Sequence, residues 1–227
     1  MKGLSMRYVV ITGASQGIGF ALTKASLNKS DSVLAVVRSL EHSKELLNLK
    51  RGYPSLEIVA VDLTQKNAAN IISSALEKWP RVDILINNAG IFLESETRDD
   101  FLNSFLVNTV VPFEIVQAIK NKLKEASHPK SVEITSQMGS ISDSSGGYLT
   151  YRSSKAALNM LIKSLSFEQS WLNFILIHPG WVRTRMGGAS APMTPEESAE
   201  KIWKVIDSSK IEDSGKFRDY LGKFLNW

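Results

Sequence analysis

Tyr8-Val9-Val10-Ile11-Thr12-Gly13-Ala14-Ser15-Gln16-Gly17-Ile18-Gly19 passes from an apolar run into a turn rich in glycine, and Phe20-Ala21-Leu22-Thr23-Lys24-Ala25 follows with a helical pattern. The run reads as a buried parallel strand. Strand, glycine turn and helix in that order form the context a dinucleotide site requires. Glycine lets the backbone turn tightly and come close to a pyrophosphate, and a helix N-terminus offers free N–H groups and the positive end of a dipole. The turn Gly13, Ser15, Gln16, Gly17, Ile18 and Gly19 is therefore a candidate cofactor cradle. Its Gly-x-x-x-Gly-x-Gly spacing differs from the Gly-x-Gly-x-x-Gly fingerprint, and the competing account is a turn that serves helix packing alone.

Outward from this turn, strand and helix signals alternate. Residues 32–37 read as a second strand, 40–49 as a helix, 56–61 as a third strand, 68–78 as a helix and 82–86 as a fourth strand. A long helix is expected over 100–124, with Pro112 kinking it or forcing a local adjustment. A fifth strand over 131–135, a helix over 150–168 and a sixth strand over 173–177 complete the pattern. The expected fold is α/β: one Rossmann-like, doubly wound parallel sheet with helices on both faces, spanning 1–227 as a single domain. Ligands of such sheets bind at the carboxyl ends of the strands.

Those ends carry the chemistry. After the second strand, where an acid would bond a ribose 2′-hydroxyl, stand Arg38 and Ser39. An arginine fork grips a 2′-phosphate that an acid would repel, so the expected cofactor is NADP(H) rather than NAD(H). Asn87-Asn88-Ala89-Gly90 suits a turn packed against a cofactor. Tyr151 and Lys155 stand at i and i+4, on one helix face. A neighbouring ammonium lowers a phenol's pKa, which makes the pair a candidate proton donor. Tyr148 and Arg152 repeat the spacing, but arginine is always protonated and relays no proton.

Thr12 to Gly19, Asn87 to Gly90, Ser136, Tyr151-x-x-x-Lys155 and Pro179-Gly180 resemble, in order and spacing, the short-chain dehydrogenase/reductase superfamily. The segments 146–159 and 178–188 are most similar to the C-factor and sniffer-type carbonyl reductases. The resemblance implies catalytic roles for Asn108, Ser136, Tyr151 and Lys155: Tyr151 gives a proton, Lys155 lowers its pKa and binds ribose, Ser136 bonds the substrate oxygen and Asn108 supports proton resupply. It also implies that Asp62 and Leu63 lie near the adenine, that Asn87, Ala89 and Gly90 contact the cofactor with Asn88 largely structural, and that Pro179, Gly180, Val182 and Thr184 pass the nicotinamide. Trp181, Met186 and Met193 are expected at the substrate mouth, with Gly187-Gly188 letting that loop move. Glu133 puts a charge in a strand that such chains keep uncharged, and nothing in the sequence accounts for it.

Composition agrees with this reading. The chain is 43% hydrophobic and 22% charged, with net charge +4 from scattered lysines and arginines, so no block of basic residues points to nucleic acid. It has no cysteine, which excludes disulfides and a thiol nucleophile, and its three histidines lie far apart, so no metal site is expected. Lys2 and Arg7 precede the first strand without an apolar leader, and no uninterrupted apolar run approaches a membrane span. The expectations are a cytoplasmic NADPH-dependent oxidoreductase acting on a small carbonyl or alcohol, with no membrane partner. It is expected to form a homo-oligomer, dimer or tetramer, through the helices over 100–124 and 150–168. The alternative is an NADP(H)-binding sensor of C-factor type with little turnover. An epimerase or dehydratase is disfavoured by the short chain after Pro195.

Overall fold

The computed structural model describes residues 6–227, so Lys2 lies outside the described residues. Seven parallel strands form one sheet: β1 (Tyr8–Thr12), β2 (Ser32–Val37), β3 (Leu56–Ala60), β4 (Ile84–Asn87), β5 (Lys130–Ile134), β6 (Asn173–His178) and β7 (Lys216–Asp219). Their spatial order is β3-β2-β1-β4-β5-β6-β7, reversing direction between β1 and β4, where such sheets open a crevice. Side chains alternate across the sheet, so each face has its own core. Val9, Ile11, Val33, Ala35 and Ile175 face one way, against α1 (Gly17–Leu27), α2 (Lys44–Gly52) and α8 (Pro195–Ser208). Val10, Leu34, Leu85, Phe174 and Leu176 face the other, against α3 (Ala68–Ala75), α5 (Val111–Ala118) and α7 (Leu149–Glu168).

Several elements differ from the expectation, each for a local reason. Helix α2 begins at Lys44 because Ser43 closes a separate turn, donating from its N–H to the Leu40 carbonyl and from its hydroxyl to the Ser39 carbonyl. Helix α3 stops at Ala75, and tighter i→i+3 bonds carry the chain on to Trp79. The long helix expected over 100–124 is divided into α4 (Arg98–Phe105), a π turn (Leu106–Val110), α5 and α6 (Lys120–Lys124). Proline has no N–H for the carbonyl four residues back, and the helix absorbs Pro112 by widening just before it. The run Arg98–Ala118 is long and apolar enough to cross a membrane by length and composition. Here Val107, Val111, Ile115 and Val116 are buried, the last three in the core beneath the sheet.

Helix α8 and strand β7 were not anticipated. Helix α8 starts with a capping box, Thr194 with Glu197, and has Pro195 in its first turn. Strand β7 extends the sheet beside β6 with Phe217 as its buried anchor.

Candidate active site

The glycine turn joins β1 to α1 at the carboxyl end of the sheet. Gly17 adopts φ +56°, which side chains rarely tolerate, and opens the first turn of α1 with its N–H groups uncapped by any side chain. A Cβ on Gly19 would stand 2.2 Å from the Gly13 carbonyl oxygen, so only glycine lets the helix start this close to the strand. Asn88 staples the turn to the next crossover. Its Nδ2 donates to the Thr12 and Gly13 carbonyls at 3.0 and 3.1 Å, while Thr12 Oγ1 accepts from the N–H groups of Asn88 and Ala89. Ser15 is half-buried and Gln16 exposed on the turn, and Ile18 packs against the core.

At the end of β2, Arg38 is exposed and Ser39 is half-buried. Asp62 lies alongside, near enough for the guanidinium to favour its ionised form. The larger effect comes from Thr64, whose N–H and hydroxyl donate to one carboxylate oxygen and hold Asp62 below the usual carboxylate range. Asp62 is thus occupied by its own turn, and Leu63 is half-buried beside it. The arrangement leaves Arg38 as the cation facing outward.

Helix α7 delivers the central pair. Tyr151 and Lys155 are both buried, and the lysine Nζ lies 5.8 Å from the phenol ring centroid. Lys155 donates to the Ile134 carbonyl at 2.9 Å, tying α7 to the end of β5. Ser136, just beyond β5, accepts from the Met138 N–H and faces the phenol as a hydrogen-bonding hydroxyl. The proton energetics run against the expectation for Tyr151. Burial pushes the phenol up to about 12, and only the Ser136 hydroxyl pulls it down. Lysine enters instead as a group under stress: burial pushes Lys155 down to about 8, and the Glu133 carboxylate opposes that.

Asn108 sits in the π turn with its side chain fully engaged. Its Oδ1 accepts from the Ile91 N–H, and its Nδ2 donates to the Ile91 carbonyl and to Ser154 Oγ. Ser154 in turn donates to the Tyr151 carbonyl. The amide therefore braces the helix carrying Tyr151. Pro112 supplies no N–H to the Asn108 backbone carbonyl, which is thereby released from the α-helical ladder. Gly90 fits between, since a Cβ there would reach 3.1 Å from Asn108 Oδ1 and 3.6 Å from Lys155 Nζ.

Glu133 is fully buried in β5, in register with Asn87 on β4. Its Oε1 accepts from Asn87 Nδ2 at 3.2 Å and from Ser131 Oγ at 2.7 Å. Burial outweighs these bonds and lifts the carboxyl to about 7.

Tyr148 and Arg152, the rival pair, are not brought to Lys155. Tyr148 takes φ +52° and packs against Phe92, whose ring also meets Tyr151 edge-on at 5.1 Å. Arg152 donates to Ser145 and the Met138 carbonyl. Phe92 is a site neighbour the sequence did not single out; its place two residues beyond Gly90 was the available signal.

The loop after β6 folds back over the glycine turn. Pro179 accepts from Ser198 of α8, Val182 is buried, and a Cβ on Gly17 would touch Thr184 at 3.1 Å. Trp181 and Met186 are exposed on this loop, with the Trp181 indole N–H donating to the Gly187 carbonyl. Met193 is not: it is buried, and its methyl group closes on Gly180. Gly187 packs closely, since a Cβ there would lie 2.0 Å from the Val182 carbonyl oxygen, while Gly188, at φ +78°, has open space around it. Across the cleft, the segment after Ser136 is pinned from far along the chain. Ser140 Oγ donates to the Asn226 carbonyl and the Ser142 N–H to the Trp227 carbonyl, while the Trp227 ring stacks on Phe217.

Residues 7–194 match the family model described as short chain dehydrogenase. The C-signal protein of Myxococcus xanthus is 37% identical over 154 residues, covering 64% of this chain and 93% of that one. An NADPH-bound carbonyl reductase from chicken fatty liver superposes with a TM-score of 0.91 at 34% identity, over 99% of this chain and 100% of that one. The carbonyl reductase Sniffer of D. melanogaster gives 0.94 at 31% identity, over 98% and 100%. Glycine turn, stapled Asn88, and a tyrosine and lysine carried together to the end of β5 agree with that match: the chain belongs to the short chain dehydrogenase family.

Proposed function

We propose that the protein is an NADPH-dependent oxidoreductase that reduces an aldehyde, ketone or quinone, or runs the reverse alcohol oxidation, as a cytoplasmic homo-oligomer acting on small molecules. The observation that carries the reading is the convergence of Ser136, Tyr151 and Lys155 at the carboxyl end of β5, beside the crevice that the glycine turn opens. The cradle fits a dinucleotide: uncapped N–H groups at the start of α1, glycines where the turn packs too tightly for a side chain, and the exposed Arg38 fork where a 2′-phosphate would lie. The NADPH in the similar chicken carbonyl reductase supports the choice of cofactor. When bound, NADPH supplies the hydride for the carbonyl carbon.

The chain's own residues do the rest. Tyr151 Oη gives its proton to the oxygen as it gains charge, and a phenol at about 12 holds that proton until the alkoxide forms. Ser136 donates to the same oxygen and steadies the developing charge. Lys155, already fixed to the Ile134 carbonyl, would hold the ribose hydroxyls with its remaining N–H bonds. Asn87, Ala89, Gly90, Pro179, Gly180, Val182 and Thr184 would hold the rest of the cofactor, with Asp62 and Leu63 near its adenine.

The test is cofactor consumption with a panel of aldehydes, ketones and quinones, using NADPH and NADH, in wild type and Tyr151→Phe. The expected result is NADPH-preferring turnover that falls by about 10²- to 10⁴-fold in the variant while NADPH still binds. Undiminished turnover in Tyr151→Phe would overturn the assignment of the proton donor. The similarity to the C-signal protein favours a second reading, an NADP(H)-binding sensor with little turnover. Tight NADPH binding with no acceptor turned over, and no effect of Tyr151→Phe, is its signature.

A further inference from the structure

Glu133 is an acid that the reaction just described does not use, and it occupies an expensive place. A carboxyl with no exposed surface, in the middle of a parallel sheet, costs several kcal/mol of lost hydration when ionised. A valine or isoleucine would fill a central strand without that cost. Its polar neighbours are few and specific. Asn87 and Ser131 bond one oxygen, and the other, Oε2, is buried without a partner, as is Asn87 Oδ1. The next residue along the strand, Ile134, contributes the carbonyl that holds Lys155.

We propose that Glu133 is a positioning residue for the reaction: its carboxylate, tied to Asn87 across the strand pair and adjacent in the chain to the carbonyl gripping Lys155, keeps the buried lysine charged and aimed at the cofactor ribose. The inference rests on the reductase reading for its catalytic meaning, though not for its effect on cofactor binding. The surroundings leave Glu133 and Lys155 to act on each other. Strand β4 presents the neutral Asn87. Strand β6 presents Leu176 in register and then His178, which burial lowers to about 4 despite Asp219. Helix α7 presents Lys155, with Tyr151 uncharged and Asn159 bonded to Thr135. Lys155 is the charge that acts on Glu133, and Glu133 the charge that acts on Lys155.

The sign follows from the two groups. With Glu133 ionised, Lys155 keeps its proton to higher pH; with the charge removed, burial discharges it sooner. Below about 7 Glu133 itself takes up a proton, so its loss should matter little there. NADPH affinity, read by the fluorescence of the bound nicotinamide from about pH 6 to about pH 9, is compared in wild type and Glu133→Gln, with carbonyl reduction followed in parallel. The expected ratio of variant to wild-type Kd is close to one at the acid end and rises to about tenfold at the alkaline end, as one unit of lysine pKa predicts. Glu133→Asp, which keeps the charge on a shorter stem, should restore part of the alkaline affinity. A ratio that is constant across pH, whatever its size, would overturn the proposal, because a purely structural defect does not titrate.

The two readings separate cleanly. If no carbonyl is reduced but the binding ratio still titrates, the reductase reading fails and the role of Glu133 stands. If Glu133→Gln does not fold, Lys155→Met provides the reciprocal test by the infrared carboxyl band of Glu133. Removing the lysine charge should move ionisation of Glu133 to higher pH, and an unmoved titration sinks the idea.

Discussion

Arg38 stands exposed at the end of β2 while Asp62, an acid close enough to feel its charge, is occupied by Thr64. A guanidinium so placed is free to meet a phosphate, and a hydrogen bond to a charged group is worth about 1.5–3 kcal/mol. Arg38→Ala should therefore raise the KM for NADPH by roughly tenfold or more and leave that for NADH nearly unchanged; equal losses with both cofactors would move the phosphate contact elsewhere. Single residues were unevenly legible. Tyr151 and Lys155 were legible as a pair on one helix face only in the company of the glycine turn and Ser136, and Arg38 as a cation at a strand end. The direction of the Tyr151 pKa was not legible, because burial is a property of the assembled fold and here it exceeds the help from neighbouring groups. Glu133 was visible as an oddity, yet its partner Asn87 is supplied by strand register, which no local pattern encodes.

Among the elements, α8 shows what a sequence can offer and what was passed over. Thr194-Pro195-Glu196-Glu197 carries a capping box and a first-turn proline, a helix start readable without coordinates. Strand β7 offered far less: Phe217 is flanked by Lys216 and Arg218, so neither alternation nor an apolar run marks it. Helix α8 packs on α1, and Trp203 is its buried anchor, with the indole N–H donating to the Leu22 carbonyl and the cations of Arg7 and Lys29 over its ring. Trp203→Ala should cost about 3–5 kcal/mol of stability in denaturant titrations, from lost burial and the cavity left behind. A loss below about 1 kcal/mol would mean that α8 contributes little to the core. The division of the expected long helix at the π turn is physical too: Pro112 was visible as a disturbance, but where a helix places the extra residue depends on what packs around it.

At the scale of the molecule, the doubly wound sheet was legible because six of its strands are apolar runs separated by helical patterns, and that alternation admits few other architectures. Assembly with other copies is governed by outer surfaces. On α4 and α7, which pack together, Leu102, Met160 and Phe167 remain largely exposed. Sedimentation should give more than one chain per particle, and Met160→Glu with Phe167→Glu should shift the population to single chains. Wild-type protein that sediments as a single chain at all concentrations would refute this surface.

The hydrogen bonds from Ser140 and Ser142 to Asn226 and Trp227, whose ring stacks on Phe217 of β7, couple the end of β5 to the far edge of the sheet. The segment beside Ser136 is held from two sides, by Arg152 and Asn159 of α7 at Met138 and Gly139 and by residues more than eighty positions downstream at Ser140. A change at Phe217 or Trp227, at the edge of the sheet, is therefore expected to be felt beside Ser136 as well.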